Sequence, residues 1–485
     1  MLYNLMHSAL WGDEWVEYTY SQEAIGTGAL YERIISTFQP PLYNYVMHFW
    51  LKVNSSIEWF RFFNVLLGGI AGVFLFLTVK RMYSRKTAAI ALCGLAVCYQ
   101  WVYCIQECSE YALMLFFLFA ALYFFVEARY QFTYWKMIFL ILACVGAVYS
   151  QYGSAFVVLP LLMLFYLGNL LEKGVRLSRK LWVSASYLIS VFAFAAPLYF
   201  SFLQKQLERN EIANHAMDFS LGILKDAPFT LGHIIGYFFS FEAQAAWKWV
   251  WGLVSVLLLL ATVLLFIKGQ LDWTKKFLII TLWFAYALHY LLVQLHIYAM
   301  VHPNQSSGFF CRYSYFYIPL LCVILPMVIS ELCALNLQWN IRKGLTLAAG
   351  AGVLCMFLSF HSLLGNWNKT YDDQFAEIWM EEKGWEDTTY LLGLAHYGFE
   401  YYVSHADGYQ EGYLNRATQT VDVNNLAPRF WVWRTNWGAN QDSFQTIIDK
   451  AAALGYHVKI YRDCETKGQL AFCSLSDESG GKQLK

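Results

Sequence analysis

Long apolar stretches, broken by short polar or basic turns, run through most of the chain. A bilayer core of ~30 Å needs about 20 apolar residues. Ten stretches meet or approach that length: 59–80, 87–105, 111–127, 135–150, 153–171, 181–203, 247–267, 275–296, 313–334 and 344–363. A sharp turn near Gln151 to Gly153 divides the fourth from the fifth. Lys and Arg then assign sides. Alternate loops hold Lys80, Arg81, Arg85 and Lys86; Arg129 and Lys136; Lys173, Arg176, Arg179 and Lys180; Lys268, Lys275 and Lys276; Arg342 and Lys343. The turns 106–110, 151–152 and 297–311 between them hold none. The positive-inside rule makes the basic side cytoplasmic. The segment before residue 59, the loop 204–246 and the tail from 364 are then external.

Two regions depart from this pattern. In 41–54, Leu42, Tyr45, Val46, Phe49, Trp50 and Val53 share one helical face and Asn44, His48 and Lys52 the other. Pro41 suits a first turn, and the segment predicts an amphipathic helix lying in the outer interface. Near Asn366 polar residues return. Segments 388–395, 429–437, 456–464 and 469–475 read as strands and 443–454 as a helix. The expected architecture is a polytopic α-helical membrane domain over 1–363, with its first external loop at 11–58, and a small external α/β domain over 364–485. Met1 to Leu10 has neither the basic start nor the cleavage site of a signal peptide. It reads as the end of an apolar helix, so a further span is expected ahead of Met1.

Composition agrees: 58% of residues are hydrophobic, 14% charged, and the net charge is zero, which leaves no basic surface for nucleic acid. The cysteines form no CxxC pair and no metal-ligand spacing. Cys464 and Cys473, in the tail, could close a hairpin.

Ionisable groups at membrane depth are functional candidates, and the external ones fall in three places. The first is WGDEWVEY, residues 11–18, where Asp13 and Glu17 would share a helical face. A carboxylate against apolar surface holds its proton more tightly and suits a general base, although Asp13 after Gly12 could also cap a helix. The flanking Trp11 and Trp15 are expected to keep this loop at the membrane surface. The second is IQECSEY, residues 105–111, where Gln106, Glu107 and Glu110 crowd one tight turn ahead of Tyr111; the plainer alternative is a solvated turn. The third is Arg312 and Tyr313 at the start of a span, where a guanidinium could hold a phosphate bidentately or simply snorkel. His289 and His296 read as packed or hydrogen-bonded. Together a base, an acidic turn and a cation fit group transfer from a lipid phosphate to a hydroxyl.

The order of WGDEW (11–15), QPPLYNYVMHFW (39–50), EWFRFFNVLLG (58–68), QECSEYALML (106–115) and RYSYFYIPLL (312–321) resembles the GT-C glycosyltransferases. The resemblance is to the family-39-like group related to protein O-mannosyltransferases and the lipid A aminoarabinose transferase. It is closest over residues 10–130 and weaker to about 330. It implies a polyprenyl-phosphate-linked sugar donor, and a glycan, lipid or protein acceptor, met outside the plasma membrane. In that reading Asp13 is the base of an inverting transfer. Glu14, Glu107, Gln106 and Tyr111 orient the acceptor, and Arg312 and Arg61 bind the donor phosphate. Tyr43, Tyr45 and Tyr313 contact sugar or lipid. It names no certain cofactor, and Asp13 and Glu107 could hold a divalent cation if the site uses one. Ser109 stands where the family has Arg, and Gln39 where it has His. Competing readings are a flippase or transporter of lipid-linked saccharide, which should show internal repeats, a surface-polysaccharide ligase or polymerase, and a receptor.

Overall fold

The computed structural model describes residues 10, 12–23, 25–26, 28–37, 39–171, 174–209, 227–239, 248–268, 271–295, 297–298, 308–335, 370–435, 441–464 and 467–475, with isolated positions between 344 and 358. Residues 1–9, Trp11, His296 and almost all of the expected span 344–363 lie outside them. The chain forms two compact units: Tyr20–Leu364, and Gly365–Lys485 together with Leu2–Thr19.

The helices of the first unit are α2 (Ala29–Ser36), α3 (Leu42–Leu51), α4 (Ile57–Met82), α5 (Arg85–Ala96), α6 (Tyr99–Gln106), α7 (Tyr111–Tyr130), α8 (Tyr134–Ser150), α9 (Ala155–Leu171) and α10 (Leu177–Leu198). They continue with α11 (Gln204–Glu208), α12 (Ala227–Phe239), α13 (Lys248–Ile267), α14 (Trp273–Gln294) and α15 (Ile318–Ala334). A preceding helix, α1 (Gly12–Gln22), carries the acidic motif. Seven of the described helices are long and apolar enough to cross a membrane. The expected span 87–105 is instead two helices, α5 and α6, bent by 64°. The expected span 135–150 lies in α8, a helix of 17 residues and shorter than a full span. The loop 204–246 contains α12, whose Thr230, Leu231, His233, Ile234 and Ile235 are buried. Local signals start these helices where the sequence predicts. Ser56, Ser84, Thr133 and Asp272 each accept a hydrogen bond from the backbone N–H three residues on. Close helix approach depends on small residues. At Gly146 an added Cβ would lie 2.6 Å from the Phe117 ring.

Among the described residues, the basic loops around 81–83, 129–136 and 272–275 meet. Glu127 pairs with Arg81 (3.1 Å) and Lys136 (2.8 Å). Glu331 accepts from Lys275 (2.7 Å) and Tyr83 (2.8 Å), while Tyr130 donates to Asp272 (2.9 Å). Helices α4, α7, α8, α14 and α15 are thereby cross-braced.

The second unit has α16 (Asp372–Glu381), β1 (Thr388–Leu392), α17 (Ala395–Ser404), β2 (Ala417–Thr418), β3 (Arg429–Arg434), α18 (Gln441–Ala453), β4 (His457–Cys464) and β5 (Gly468–Ser474). The sheet order is β2-β1-β3-β5-β4, with β2, β1 and β3 parallel and β3, β5 and β4 antiparallel. The run FWVW in β3 is continuously apolar because both faces are covered. Trp431 and Trp433 pack with Phe375, Trp379 and Phe399, and Phe430 and Val432 with Phe444 and Ile447. The hairpin register sets Cys464 opposite Gly468 and Cys473 opposite Val458. The two cysteines thus sit at opposite ends of the hairpin, too far apart to be bridged to each other.

Asp372 is buried under this sheet. The Trp433 indole N–H donates to its carboxylate at 2.9 Å and the Thr435 hydroxyl at 3.4 Å. Burial pushes its pKa up to about 7 despite these donors. The unfolded carboxyl titrates near ~4, so the folded unit binds this proton more tightly. The resulting stabilisation is complete below about pH 4 and is lost as pH rises through about 7, by at most about 4 kcal/mol. Amide exchange of β3 in the full chain, corrected for intrinsic rates, should therefore lose protection from pH 4 to pH 7. Asp372→Asn should flatten that trend.

Candidate active site

Asn64 organises the acidic turn. It lies one helical turn beyond Arg61 on α4, and both are buried. Its side-chain amide donates to the Glu107 carbonyl at 2.6 Å, and it lies 3.3 Å from the Tyr43 hydroxyl and 3.5 Å from the Ser109 carbonyl. Gln106, Glu107, Ser109, Glu110 and Tyr111 are all buried, with Glu107 only 2% exposed. A solvated turn is thereby excluded. Glu110, Arg312, Tyr313 and Glu107 all lie within electrostatic reach of Tyr111. Its ring also meets Tyr315 edge-on at 5.2 Å. Arg312 is half-buried, and its guanidinium lies 5.5 Å from the Tyr313 ring centre.

A third turn joins this cluster. Gln151 donates to the Tyr298 hydroxyl at 3.0 Å, and Tyr313 and Glu110 stand near that same phenol. Burial pushes the Tyr298 phenol well above its ordinary range, so it stays a neutral hydrogen-bonding group. Asn64 Oδ1, Ser109 Oγ, Gln151 Oε1, Ser154 Oγ and Ser314 Oγ are buried without a hydrogen-bond partner among the described residues. Each such group costs about 1–3 kcal/mol, so the cluster is arranged to meet a polar ligand or water.

Helix α3 faces the opposite way to a simple surface helix. Its polar residues Asn44 and His48 turn inward with Tyr43 and Met47, whereas Phe49 and Val53 are exposed. The His48 ring meets the Ser21 carbonyl at 3.0 Å. Apolar-outward packing of this kind suits lipid. Tyr43 joins the Asn64 cluster; Tyr45 is half-buried beside Tyr31. The Trp50 and Trp59 indoles stack at 4.3 Å and each donates to the other's backbone carbonyl, which fixes the α3–α4 corner. Gln206 ties the first loop down. It donates to the Ile34 and Gln39 carbonyls and accepts from Tyr152.

The acidic helix α1 belongs, up to Thr19, to the second unit. Helix begins at Gly12, so Asp13 is inside the first turn and does not cap it. Asp13 is half-buried; Glu14 and Glu17 are buried. Trp15 is no interfacial anchor. It is 3% exposed and packed against Tyr18, Tyr401 and Tyr402. Among the described residues no group of three or more His, Cys, Asp or Glu is placed to hold a metal ion. His289 is a packed core residue, stacked on Phe156 and 3.1 Å from the Tyr317 hydroxyl. Sequence reasoning missed Asn64, Gln151, Ser154, Tyr298 and Ser314. A polar residue inside the apolar run of α4 was a usable signal for Asn64; Tyr298 offered none.

An apolar groove of about 540 Å³ adjoins the third turn, walled by α8, α9, α10 and α14, with Val148, Phe156, Phe194 and Leu288 in its lining. Tyr152 and Tyr298 line it as well. Tyr298 therefore belongs both to the groove and to the polar cluster.

The helical bundle and the small α/β unit make a fold that solved proteins share. Residues 38–200 match the family described as dolichyl-phosphate-mannose-protein mannosyltransferase. Among solved structures, ArnT from Cupriavidus metallidurans in the apo state aligns with a TM-score of 0.54 at 12% identity, covering 96% of this chain and 94% of that one. The same protein bound to undecaprenyl phosphate aligns with a TM-score of 0.54 at 12% identity, covering 98% and 96%. No curated protein matches the chain.

The third turn is tightly fitted. A Cβ on Gly153 would collide with the Tyr298 hydroxyl and approach the Phe316 ring to 2.9 Å, whereas one on Gly69 meets nothing within 4 Å. Gly153→Ala should lower stability by about 1–3 kcal/mol and Gly69→Ala should not, as read by the thermal midpoint in detergent.

Proposed function

We propose that this protein transfers a sugar from a polyprenyl-phosphate donor to an acceptor hydroxyl on the external face of the plasma membrane. The observation that carries the reading is the apolar groove meeting the polar cluster at Tyr298. A ligand with a long hydrocarbon tail and an anionic head matches that pairing, and a lipid-linked sugar phosphate is such a ligand. ArnT bound to undecaprenyl phosphate supports it by fold.

Arg312, with Arg61, neutralises the donor phosphate and stabilises the charge that develops as it leaves. Asp13 takes the proton of the acceptor hydroxyl. The acceptor oxygen forms its bond to the anomeric carbon as the bond to the phosphate oxygen breaks, with inversion, and the lipid phosphate departs with the electron pair. Glu14, Glu107, Gln106 and Tyr111 orient the acceptor. Tyr43, Tyr45 and Tyr313 contact the sugar or lipid.

The full chain, reconstituted in lipid with a polyprenyl-phosphate sugar, tests this. Asp13→Asn should cut transfer by about 10²–10⁴-fold, and Arg312→Ala by about 10²–10³-fold. Transfer that survives Asp13→Asn intact would sink the assignment of the base. Independently, Val148→Trp should fill the groove and raise KM for a long-chain donor more than for a short-chain one; equal effects on both would remove the groove from the binding site.

A further inference from the structure

We infer that the α/β unit is a positioning device for the acidic helix, with Tyr401 and Tyr402 of α17 as its positioning residues. This rests on the assignment of Asp13 as the base. Helix α1 has 11 residues, too few to be stable in water by itself. Its order must come from packing, and the packing is aromatic. Trp15 meets Tyr401 at 5.2 Å and Tyr402 at 5.8 Å, and Tyr18 meets Tyr401 at 6.0 Å. Trp15 and Tyr18 also touch each other edge-on at 5.8 Å. Just before the helix, the Leu10 N–H donates to the Tyr402 hydroxyl at 3.3 Å, which pins the incoming chain.

The clasp is itself anchored. Tyr401 and Tyr402 pack edge-on at 5.2 Å, and His405 stacks on Tyr401 at 4.3 Å. On the other side of α17, Phe399 and Val403 are fully buried in the core beneath Trp431 and Trp433. A continuous packed path therefore runs from the sheet to Trp15. With 3.6 residues per turn, Asp13 projects about 160° around the helix axis from Trp15. Holding the aromatic face consequently fixes where Asp13 points. Trp15 is part of WGDEW because the base needs a handle on its far side.

The test uses the full chain in lipid and two readouts: amide exchange over residues 12–22, and kcat against donor KM. The double variant Tyr401→Ala, Tyr402→Ala should raise exchange over 12–22 while β1, β3 and β5 stay protected. Its kcat should fall by about 10²-fold, as a small misplacement of a reacting group does, with donor KM unchanged. Trp15→Ala should reproduce this from the opposite side of the contact. Tyr401→Phe with Tyr402→Phe, which keeps both rings, should restore kcat. Unchanged exchange over 12–22 in both alanine variants would overturn the proposal, as would raised exchange with unchanged kcat when Asp13→Asn is inactive. Asp13→Asn, run in parallel, separates the two ideas. If it stays active while exchange still rises in the alanine variants, the base assignment has failed and the clasp alone stands.

Discussion

The short hydrogen bond from the Asn64 amide to the Glu107 carbonyl is the contact on which the candidate site depends. A turn that carries Gln106, Glu107 and Glu110 between two apolar helices would otherwise leave backbone groups unsatisfied near membrane depth, where each is expensive. Asn64 supplies the donor from α4, and the Tyr43 hydroxyl, only 3.3 Å from the same amide, brings α3 to the same point. One side chain thus ties the first loop, the first long span and the acidic turn together. Glu110 and Tyr111 follow directly after, beside Arg312 and Tyr313.

The two ends of the bundle solve the problem of charge differently. At the basic end, Glu127 and Glu331 each take more than one donor, and the helices are braced. At the other end, buried hydroxyl and amide oxygens stay unmatched among the described residues. The apolar groove shares Tyr298 with this second end.

The α/β unit adds a different kind of control. Both faces of β3 are covered, and the tryptophans on one face carry α17 and its paired tyrosines. Rigid elements place functional groups more closely than loops do, and a short helix fastened to such an element inherits its precision.

Much of the fold was legible because its signals are local. Span lengths follow from bilayer thickness, the alternation of basic loops from the cost of moving charge, and helix starts from Ser, Thr or Asp at the first turn. WGDEW, IQECSEY and Arg312 could be singled out because charge in an apolar context is rare. The bend between α5 and α6, the buried α12 and the inward polar face of α3 were not legible, since each depends on what packs against it. Nor could the sequence bring Asn64, Gln151 and Tyr298 into the site. They lie in different stretches of chain, and only packing brings them to Glu107, Glu110 and Tyr313. The sequence by itself determined that this is a membrane bundle with an α/β appendage and an early acidic motif, because hydrophobic length and period encode those. Tertiary structure alone decided that Trp15 is buried by tyrosines from the far end of the chain instead of lying at the membrane surface, because an aromatic ring suits either environment and only the partner chooses.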